Sequence, residues 1–114
     1  MPANDRITRA LSLLGFATGA GRVTVGVPLI CEALKKGGAK APRLVLLAAD
    51  ASANSAKRIA DRTRFYGVPC HRLTVDGGRL ALAVGKPDAT VAAVAVCDTQ
   101  FAKALAQALQ DPAE

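Results

Sequence analysis

Two short, uninterrupted apolar runs, residues 44–48 and 91–97, constrain the fold of this chain more than any other feature. An apolar run of this length without alternating polar residues predicts a β-strand that is covered on both faces. Helices on both sides of a sheet provide such cover in α/β domains. The runs therefore predict an α/β sandwich with buried strands at residues 43–48 and 90–96.

Segments on either side of these runs have the spacing of amphipathic helices. The apolar face of a first helix comprises Ile7, Leu11, Leu14 and Phe16, widened by Leu13 and Ala17. Asn4 or Asp5 can cap this helix. A second helix begins at Gly26 and tolerates Pro28, whose missing N–H falls in the first turn. Glu32 and Lys36 form an i,i+4 pair within it.

The third and last helices have caps that can be assigned from the sequence. Ser52 or Asn54 caps the third helix, and Asp98 or Thr99 caps the last. The inner face of the third helix comprises Ala56, Ile59, Ala60 and Thr63; that of the last helix comprises Phe101, Ala102, Leu105 and Leu109. The other positions of the third helix include four basic residues against a single acid, Asp61: Lys57, Arg58, Arg62 and Arg64. They form either a solvated surface or one that faces phosphates.

Strands are also predicted at residues 22–25 and 68–75, and a turn at 76–78 leads into a short helix at 80–84. Helices and strands then alternate through the whole chain. This order predicts a three-layer α/β/α sandwich around a four-stranded sheet. Residues 1–110 form a single domain, and residues 111–114 are expected to fray.

The composition limits the classes of protein to which the chain can belong. Its 114 residues include 24 alanines but only four aromatic residues, too few for a series of base-stacking platforms. No apolar run approaches the roughly 20 residues that span a bilayer, and no signal peptide is evident. Cys31, Cys70 and Cys97 form no CxxC pair, which predicts three reduced, buried thiols. We therefore expect a cytoplasmic protein without a membrane partner.

Positive charge is concentrated in the middle of the chain. Residues 22–86 contain twelve Lys and Arg against four acids, whereas the two ends together contain three basic residues and five acids. A basic middle segment indicates a polyanionic partner, with nucleic acid ahead of membrane, or else a soluble surface that happens to be basic.

Catalysis has no support in the sequence. His71 follows Cys70 in a predicted strand, where neighbouring side chains point to opposite faces. Cys31 lies among apolar helix residues and is expected in the core. Asp50 can serve as an acid or base, but a turn or cap role is favoured. Nucleotide-binding, metal-binding and nucleophile motifs are absent. We expect no catalytic residue, no metal site and no cofactor.

A binding site has better support. Arg22 and a Gly-rich turn precede the helix N-terminus at Gly26 and Val27, and free N–H groups at helix N-termini attract phosphate. Lys86 and Pro87 form a second candidate, a rigid cationic loop. The alternative for each is an ordinary turn or surface loop.

The order of these motifs resembles the bacterial, YlxQ-like branch of the ribosomal protein L7Ae/L30e family. The matching stretches cover nearly the whole chain: residues 14–22, 26–37, 43–54, 66–69, 82–85 and 94–103. The resemblance implies an L30e-like sandwich with a mixed four-stranded sheet. It also implies binding of structured RNA, typically a kink-turn with tandem sheared G·A pairs.

Only some of the positions that contact RNA in such proteins are matched in this chain. Gly26 matches the start of the RNA-contacting helix, and residues 85–88 correspond to a second contact loop. The positions of the family's Asn, Glu and Lys hold Pro28, Leu29 and Glu32. Those substitutions remove side chains that would bind guanine edges and phosphate.

We therefore expect a non-catalytic RNA-binding protein of the ribosome or translation machinery. Its partners would be ribosomal RNA or another kink-turn-like RNA, together with ribosome or translation proteins. The predicted RNA-binding residues are Arg22, Gly26, Val27, Pro28, Leu29, Lys35, Lys36, Lys57, Lys86 and Pro87. One alternative is a protein-interaction module using an exposed apolar turn at residues 27–29. Another is the RNA-recognition domain of a modifying enzyme.

Overall fold

The computed structural model describes residues 3–110, and the side chains of residues 6–109. Its elements are α1 (Ala3–Gly19), β1 (Val23–Val25), α2 (Val27–Lys36), β2 (Leu44–Leu47), α3 (Ala53–Tyr66), β3 (Cys70–Arg72), α4 (Gly77–Ala83), β4 (Ala93–Val96) and α5 (Thr99–Gln110). This is the predicted alternation of helices and strands. The predicted fraying of residues 111–114 lies outside the described residues.

The four strands form one mixed sheet in the order β1-β4-β2-β3. β2 and β3 are parallel, and β4 is antiparallel to both of its neighbours. β1, β2 and β3 therefore share one direction, and β4 alone runs against them.

Helices cover both faces of the sheet. One face is packed by α1, α4 and α5 against Leu44, Leu46, Val94 and Val96. The other is packed by α2 and α3 against Val45, Leu47, Ala93 and Ala95. Every residue of β2 and β4 is buried, which explains their uninterrupted apolar sequence. The predicted three-layer sandwich is confirmed.

Three elements have a boundary that differs from the sequence prediction by more than one residue. The strand predicted at residues 68–75 is limited to Cys70–Arg72, and the one predicted at 90–96 begins at Ala93. The turn predicted at 76–78 is wrong, because α4 already begins at Gly77. Asp76 caps it: its Oδ1 accepts a hydrogen bond from the Arg79 N–H at 2.8 Å. An effective cap thus overrides the turn tendency of two glycines.

Two details of α1 also differ. The helix begins at Ala3, so Asn4 and Asp5 lie inside its first turn instead of capping it. Phe16 is 70% exposed, and the prediction that it joins the apolar face is wrong. Ala10, Leu14 and Ala17, spaced at four and three residues, form the buried stripe instead.

The remaining caps and cysteines follow the predictions with one exception. The Ser52 side chain caps α3 by accepting from the Ser55 N–H, and Asp98 Oδ1 accepts from two N–H groups at the start of α5. All three cysteines are free thiols. Cys31 is buried as expected, but Cys70 and Cys97 are only half-buried.

The crossovers define two ends of the molecule. Since β1, β2 and β3 are parallel, α2 and α3 each return against the strands and run in the same direction. The N-termini of α2 and α3 and the carboxyl ends of these strands lie at one end, which we call the Gly26 end. The C-termini of α2 and α3 lie at the opposite end, with the residue that precedes β1; we call it the Arg22 end.

Gly77 is the most tightly packed glycine of the described residues. A Cβ atom there would lie 2.6 Å from Thr90 Cγ2 and 2.9 Å from the Val91 carbonyl oxygen. The Gly77 carbonyl also accepts from the Val91 N–H at 3.1 Å, and its N–H donates to Asp50 Oδ1 at 2.8 Å. Gly77 therefore joins α4 to the segment before β4 and to the end of β2.

We expect Gly77→Ala to lower the free energy of unfolding by about 1–3 kcal/mol, as overpacking does in protein cores. Urea unfolding followed by circular dichroism measures the change. Gly19→Ala is the matched control, since its Cβ would meet no atom within 4 Å. Equal unfolding midpoints for the two variants would contradict the role of close packing at Gly77.

Candidate nucleic-acid interface

The N-terminus of α2 lies at the end of β1 and lacks a side-chain cap. Gly26 has φ 100° and ψ 142°, a conformation that favours glycine, and no side chain caps the helix. Its N–H donates to the Ala93 carbonyl and its carbonyl accepts from the Ile30 N–H, each at 3.0 Å. The first turn contains no acid. Its amide groups and partial positive charge can therefore attract an anionic group.

The side chains of this first turn divide between core and solvent. Pro28 and Leu29 are exposed, Leu29 to 58%. Val27 is only 8% exposed, because it lies on the stripe with Ile30 and Leu34 that packs on the sheet. The expectation that the Val27 side chain is exposed and makes an apolar contact is therefore wrong. Only the Val27 backbone remains for a ligand.

The Lys86 loop is held in place by its own backbone. The Lys86 N–H donates to the Ala81 carbonyl at 2.8 Å, and the Ala89 N–H donates to the Lys86 carbonyl at 3.1 Å. Pro87 occupies the second position of that four-residue turn, where its fixed φ is favourable. Both Lys86 and Pro87 are exposed. The loop thus presents a cation and a rigid apolar ring to solvent.

Leu29 and Lys86 meet at one shallow groove along β1. The groove is lined by Thr18, Val23, Thr24, Val25, Leu29, Val84 and Lys86. β1 pairs only with β4, and alternate residues of an antiparallel strand direct their backbone groups to the partner. The hydrogen bond from the Gly26 N–H to the Ala93 carbonyl shows that the backbone groups of residues 24 and 26 point toward β4. The backbone groups of Val23 and Val25 therefore point away from β4, toward the groove. Sequence reasoning missed Thr18 and Val84, since they come from α1 and the end of α4.

Other predicted residues are not among those that line this groove. Lys35 and Lys36 form the last turn of α2, roughly 12–15 Å from Gly26 at about 1.5 Å per residue. Arg22 precedes β1, and its Nε lies 4.0 Å from Asp98 Oδ2. Lys57 is near the Gly26 end, but its Nζ donates to Asp61 Oδ2 at 2.8 Å. The ten predicted residues therefore do not form a single face.

The residues weighed for catalysis, Cys70, His71 and Asp50, have separate places in the described fold. Cys70 packs with the α2–α3 side of the sheet, whereas His71 lines a small cavity with Ile7 and Leu109 on the other side. They are on opposite faces, as predicted. Asp50 binds the Gly77 N–H and thus has the favoured turn role. No cluster of three potential ligands for a metal ion occurs among the described residues, and no described helix is long and apolar enough to span a bilayer.

The arrangement matches a known family. The model of the ribosomal protein L7Ae/L30e/S12e/Gadd45 family covers residues 8–106. The chain belongs to this family. The L7Ae/L30e resemblance read from the sequence is thereby confirmed, together with the fold that it implied.

Relatives place the chain in the YlxQ-like branch of the L7Ae family. The RNA-binding protein YlxQ of Bacillus subtilis is 38% identical over 93 residues, covering 82% of this chain and 87% of the relative. The protein of the same name from Enterococcus faecium is 33% identical over 95 residues, covering 83% and 85%. A solved structure of a protein of unknown function from Bacillus halodurans superposes with a TM-score of 0.78 at 28% identity. It covers 88% of this chain and 95% of that one.

We expect Cys70 to react slowly with iodoacetamide. Burial raises the pKa of its thiol above the ordinary value, and a hydrogen bond with Thr63 offsets this only in part. Because the pKa is raised, less thiolate is present at any given pH, and the rate should climb at a higher pH than that of an unfolded reference peptide. Mass spectrometry of alkylated peptides measures the profile, with a synthetic peptide of residues 67–73 as reference. A midpoint below that of the peptide would contradict the assignment.

Proposed function

We propose that this protein is a non-catalytic, cytoplasmic RNA-binding protein of the translation machinery that holds structured RNA at the groove along β1. Two relatives that match over most of their length are named as RNA-binding, and the family is named for ribosomal proteins. Twelve basic residues against four acids in the central segment support an anionic partner.

One observation carries the proposal: the uncapped N-terminus of α2 and the Lys86 loop border the same groove. The amides of the α2 turn suit a phosphate, and Lys86 neutralises a second one. Leu29 and Pro87 provide apolar surface for a ribose or an unstacked base. Because the Lys86 loop is tied to α4 and closed by its own turn, little ordering is required when RNA binds.

The α2 turn lacks the side chains that would hydrogen-bond the edges of guanine bases. Pro28 and Leu29 provide no hydrogen-bonding side chain, and Glu32 repels phosphate where the family has Lys. We therefore propose that the groove recognises the shape of an RNA backbone, a kink-turn among the candidates. Discrimination between RNA sequences should be weak, and dependence on salt should be strong.

A protein-interaction role has one observation in its favour, the 58% exposure of Leu29 beside Pro28. Because Val27 is buried, the apolar patch on which that alternative relied is reduced to two side chains. Binding of a protein partner at this turn would be insensitive to salt, in contrast to binding of RNA.

We expect the protein to bind a labelled kink-turn RNA with an affinity that falls steeply between two salt concentrations, measured by fluorescence anisotropy. Lys86→Gln should weaken binding and reduce the salt slope by roughly 0.7–0.9, the effect of one phosphate contact. Lys103→Gln on α5 is the matched control, since it removes the same charge from an exposed site that does not line the groove.

A plain duplex of equal length separates specific from general binding. Preference for the kink-turn at both salt concentrations would show that the backbone and the Lys86 loop suffice without the Asn–Glu pair. Equal, salt-sensitive binding would indicate a general phosphate binder. Absence of binding to either RNA, or identical behaviour of Lys86→Gln and Lys103→Gln, would contradict the proposed groove.

A further inference from the structure

The outer surface of α3 consists of two stripes with different electrostatics. Residues spaced at i, i+4 and i+7 share one side of a helix, which groups Lys57 with Asp61 and Arg64. In this stripe the Lys57 ammonium donates to Asp61 at 2.8 Å. That hydrogen bond and the Lys57 charge lower the pKa of Asp61, and the Arg64 charge adds a smaller effect. The first stripe therefore neutralises much of its own charge.

The second stripe contains two arginines and an aromatic ring, and its arginines line a depression together with Lys57 and Asp61 of the first stripe. Arg58, Arg62 and Phe65 have the same i, i+4, i+7 spacing. Across the described side chains, no acid forms an ion pair with Arg58 or Arg62. Tyr66 follows Phe65, and both lie within one turn of Arg62. We call Arg58, Arg62, Phe65 and Tyr66 the arginine–aromatic stripe.

This stripe lies on the side of α3 that is turned toward α2. The opposite flank of α3 contributes Ala56, Lys57, Ala60 and Arg64 to a depression beside β3, so it faces the free edge of that strand. Since α2 covers the β1–β4 side of the sheet, the arginine–aromatic stripe borders the seam between the two helices.

Basic residues of α2 reach the same end of that seam. α2 and α3 run in the same direction, so Lys35 and Lys36 lie at the Arg22 end with Arg62 and Phe65. Lys35 is one turn from Cys31 on the side of α2 away from the β1 groove. Glu32 is the acid of this helix, but the i,i+4 pair predicted with Lys36 is wrong: no ion pair joins them in the described structure.

Most aromatic side chains of this protein lie on its surface and not in its core. Phe65 is 79% exposed, Tyr66 is 37% exposed and Phe16 is 70% exposed, while Phe101 alone packs at the edge of the core. The Phe65 and Tyr66 rings contact each other edge to face, with centroids 4.9 Å apart and planes at 83°. Phe65 remains largely exposed despite this contact, and Arg62 lies one helical turn before it.

We propose that the arginine–aromatic stripe, together with Lys35, is a second RNA-contact surface that holds an unpaired nucleotide. A base stacks on the exposed face of Phe65, and Arg58, Arg62 and Lys35 contact the flanking phosphates. Stacking on an aromatic ring accepts any base, because every base has a π-face, and nearby Arg strengthens it. The proposal rests on the proposed function, since its partner is the same RNA.

Distance allows one RNA to contact both surfaces. Phe65 is 13 residues from the Ser52 cap at the Gly26 end, which corresponds to roughly 20 Å along α3. We assign the Phe65 contact to a single-stranded extension of the RNA held at the β1 groove, because Phe65 lies on another helix and does not line that groove. The second surface is expected to add affinity for an extended RNA and none for a blunt one.

The test compares a blunt structured RNA with the same RNA carrying an unpaired extension of about five nucleotides, within the range of single-stranded binding sites. We expect Phe65→Ala to weaken binding of the extended RNA by roughly fivefold to a hundredfold, the range for loss of a stacked ring, and to leave the blunt RNA unchanged. Phe16→Ala is the matched control, since it removes an equally exposed ring from α1.

Two further measurements separate stacking from loss of charge or fold. A 2-aminopurine in the extension should be quenched by the wild type and by Phe65→Tyr, but not by Phe65→Ala. Arg62→Gln should weaken binding of the extended RNA, whereas Arg64→Gln on the other stripe should not.

The outcomes distinguish this inference from the proposed function. If the wild type binds the blunt RNA and Phe65→Ala changes nothing, the second surface is wrong and the β1 groove stands. If Phe65→Ala weakened binding of the blunt and the extended RNA equally, the second surface would also be wrong, because the substitution would then act on the fold or on the β1 groove. If the wild type binds neither RNA, the proposed function is wrong, and the second surface, which rests on it, is wrong as well.

Discussion

Burial of β2 and β4 on both faces is the constraint on which the rest of the structure depends. All eight of their side chains are Leu, Val or Ala, and all are buried. Removing each Leu or Val from water contributes roughly 1.5–3 kcal/mol. This gain requires helices on both sides of the sheet. One of these layers consists of α2 and α3, the helices that connect the parallel strands. The shared direction of the two helices, and thus the separation of the molecule into two ends, follows from that burial.

Local sequence was sufficient to predict the elements, because the signals are local. Apolar runs indicated β2 and β4, and Ser52 and Asp98 identified helix starts through the short polar side chains that bind free N–H groups. The errors arose where two local tendencies compete. Gly77 and Gly78 favour a turn, but the Asp76 cap initiates a helix through them. Phe16 is more hydrophobic than Ala17, yet helical geometry buries the alanine.

The candidate site was only partly predictable, for a different reason. Gly26, Leu29 and Lys86 could be named from turn chemistry and charge, and the fold brings Leu29 and Lys86 to one groove. Lys35 and Lys36 lie roughly 12–15 Å from Gly26 because of the length of α2, which the predicted helix already implied. The meeting of Leu29 with Lys86 is a tertiary property with no signal in the spacing of charges. The same holds for the two stripes of α3, since which flank of the helix meets α2 depends on strand order.

The placement of the aromatic residues has a consequence for how the protein can be observed. The chain contains one tyrosine and no tryptophan. Its intrinsic ultraviolet fluorescence therefore comes almost entirely from Tyr66, a half-exposed ring at the C-terminus of α3 and outside the core. The Tyr66 ring packs edge to face with Phe65, so anything that settles against the Phe65 ring should alter this emission directly. The protein thus carries a built-in, label-free optical reporter at its surface.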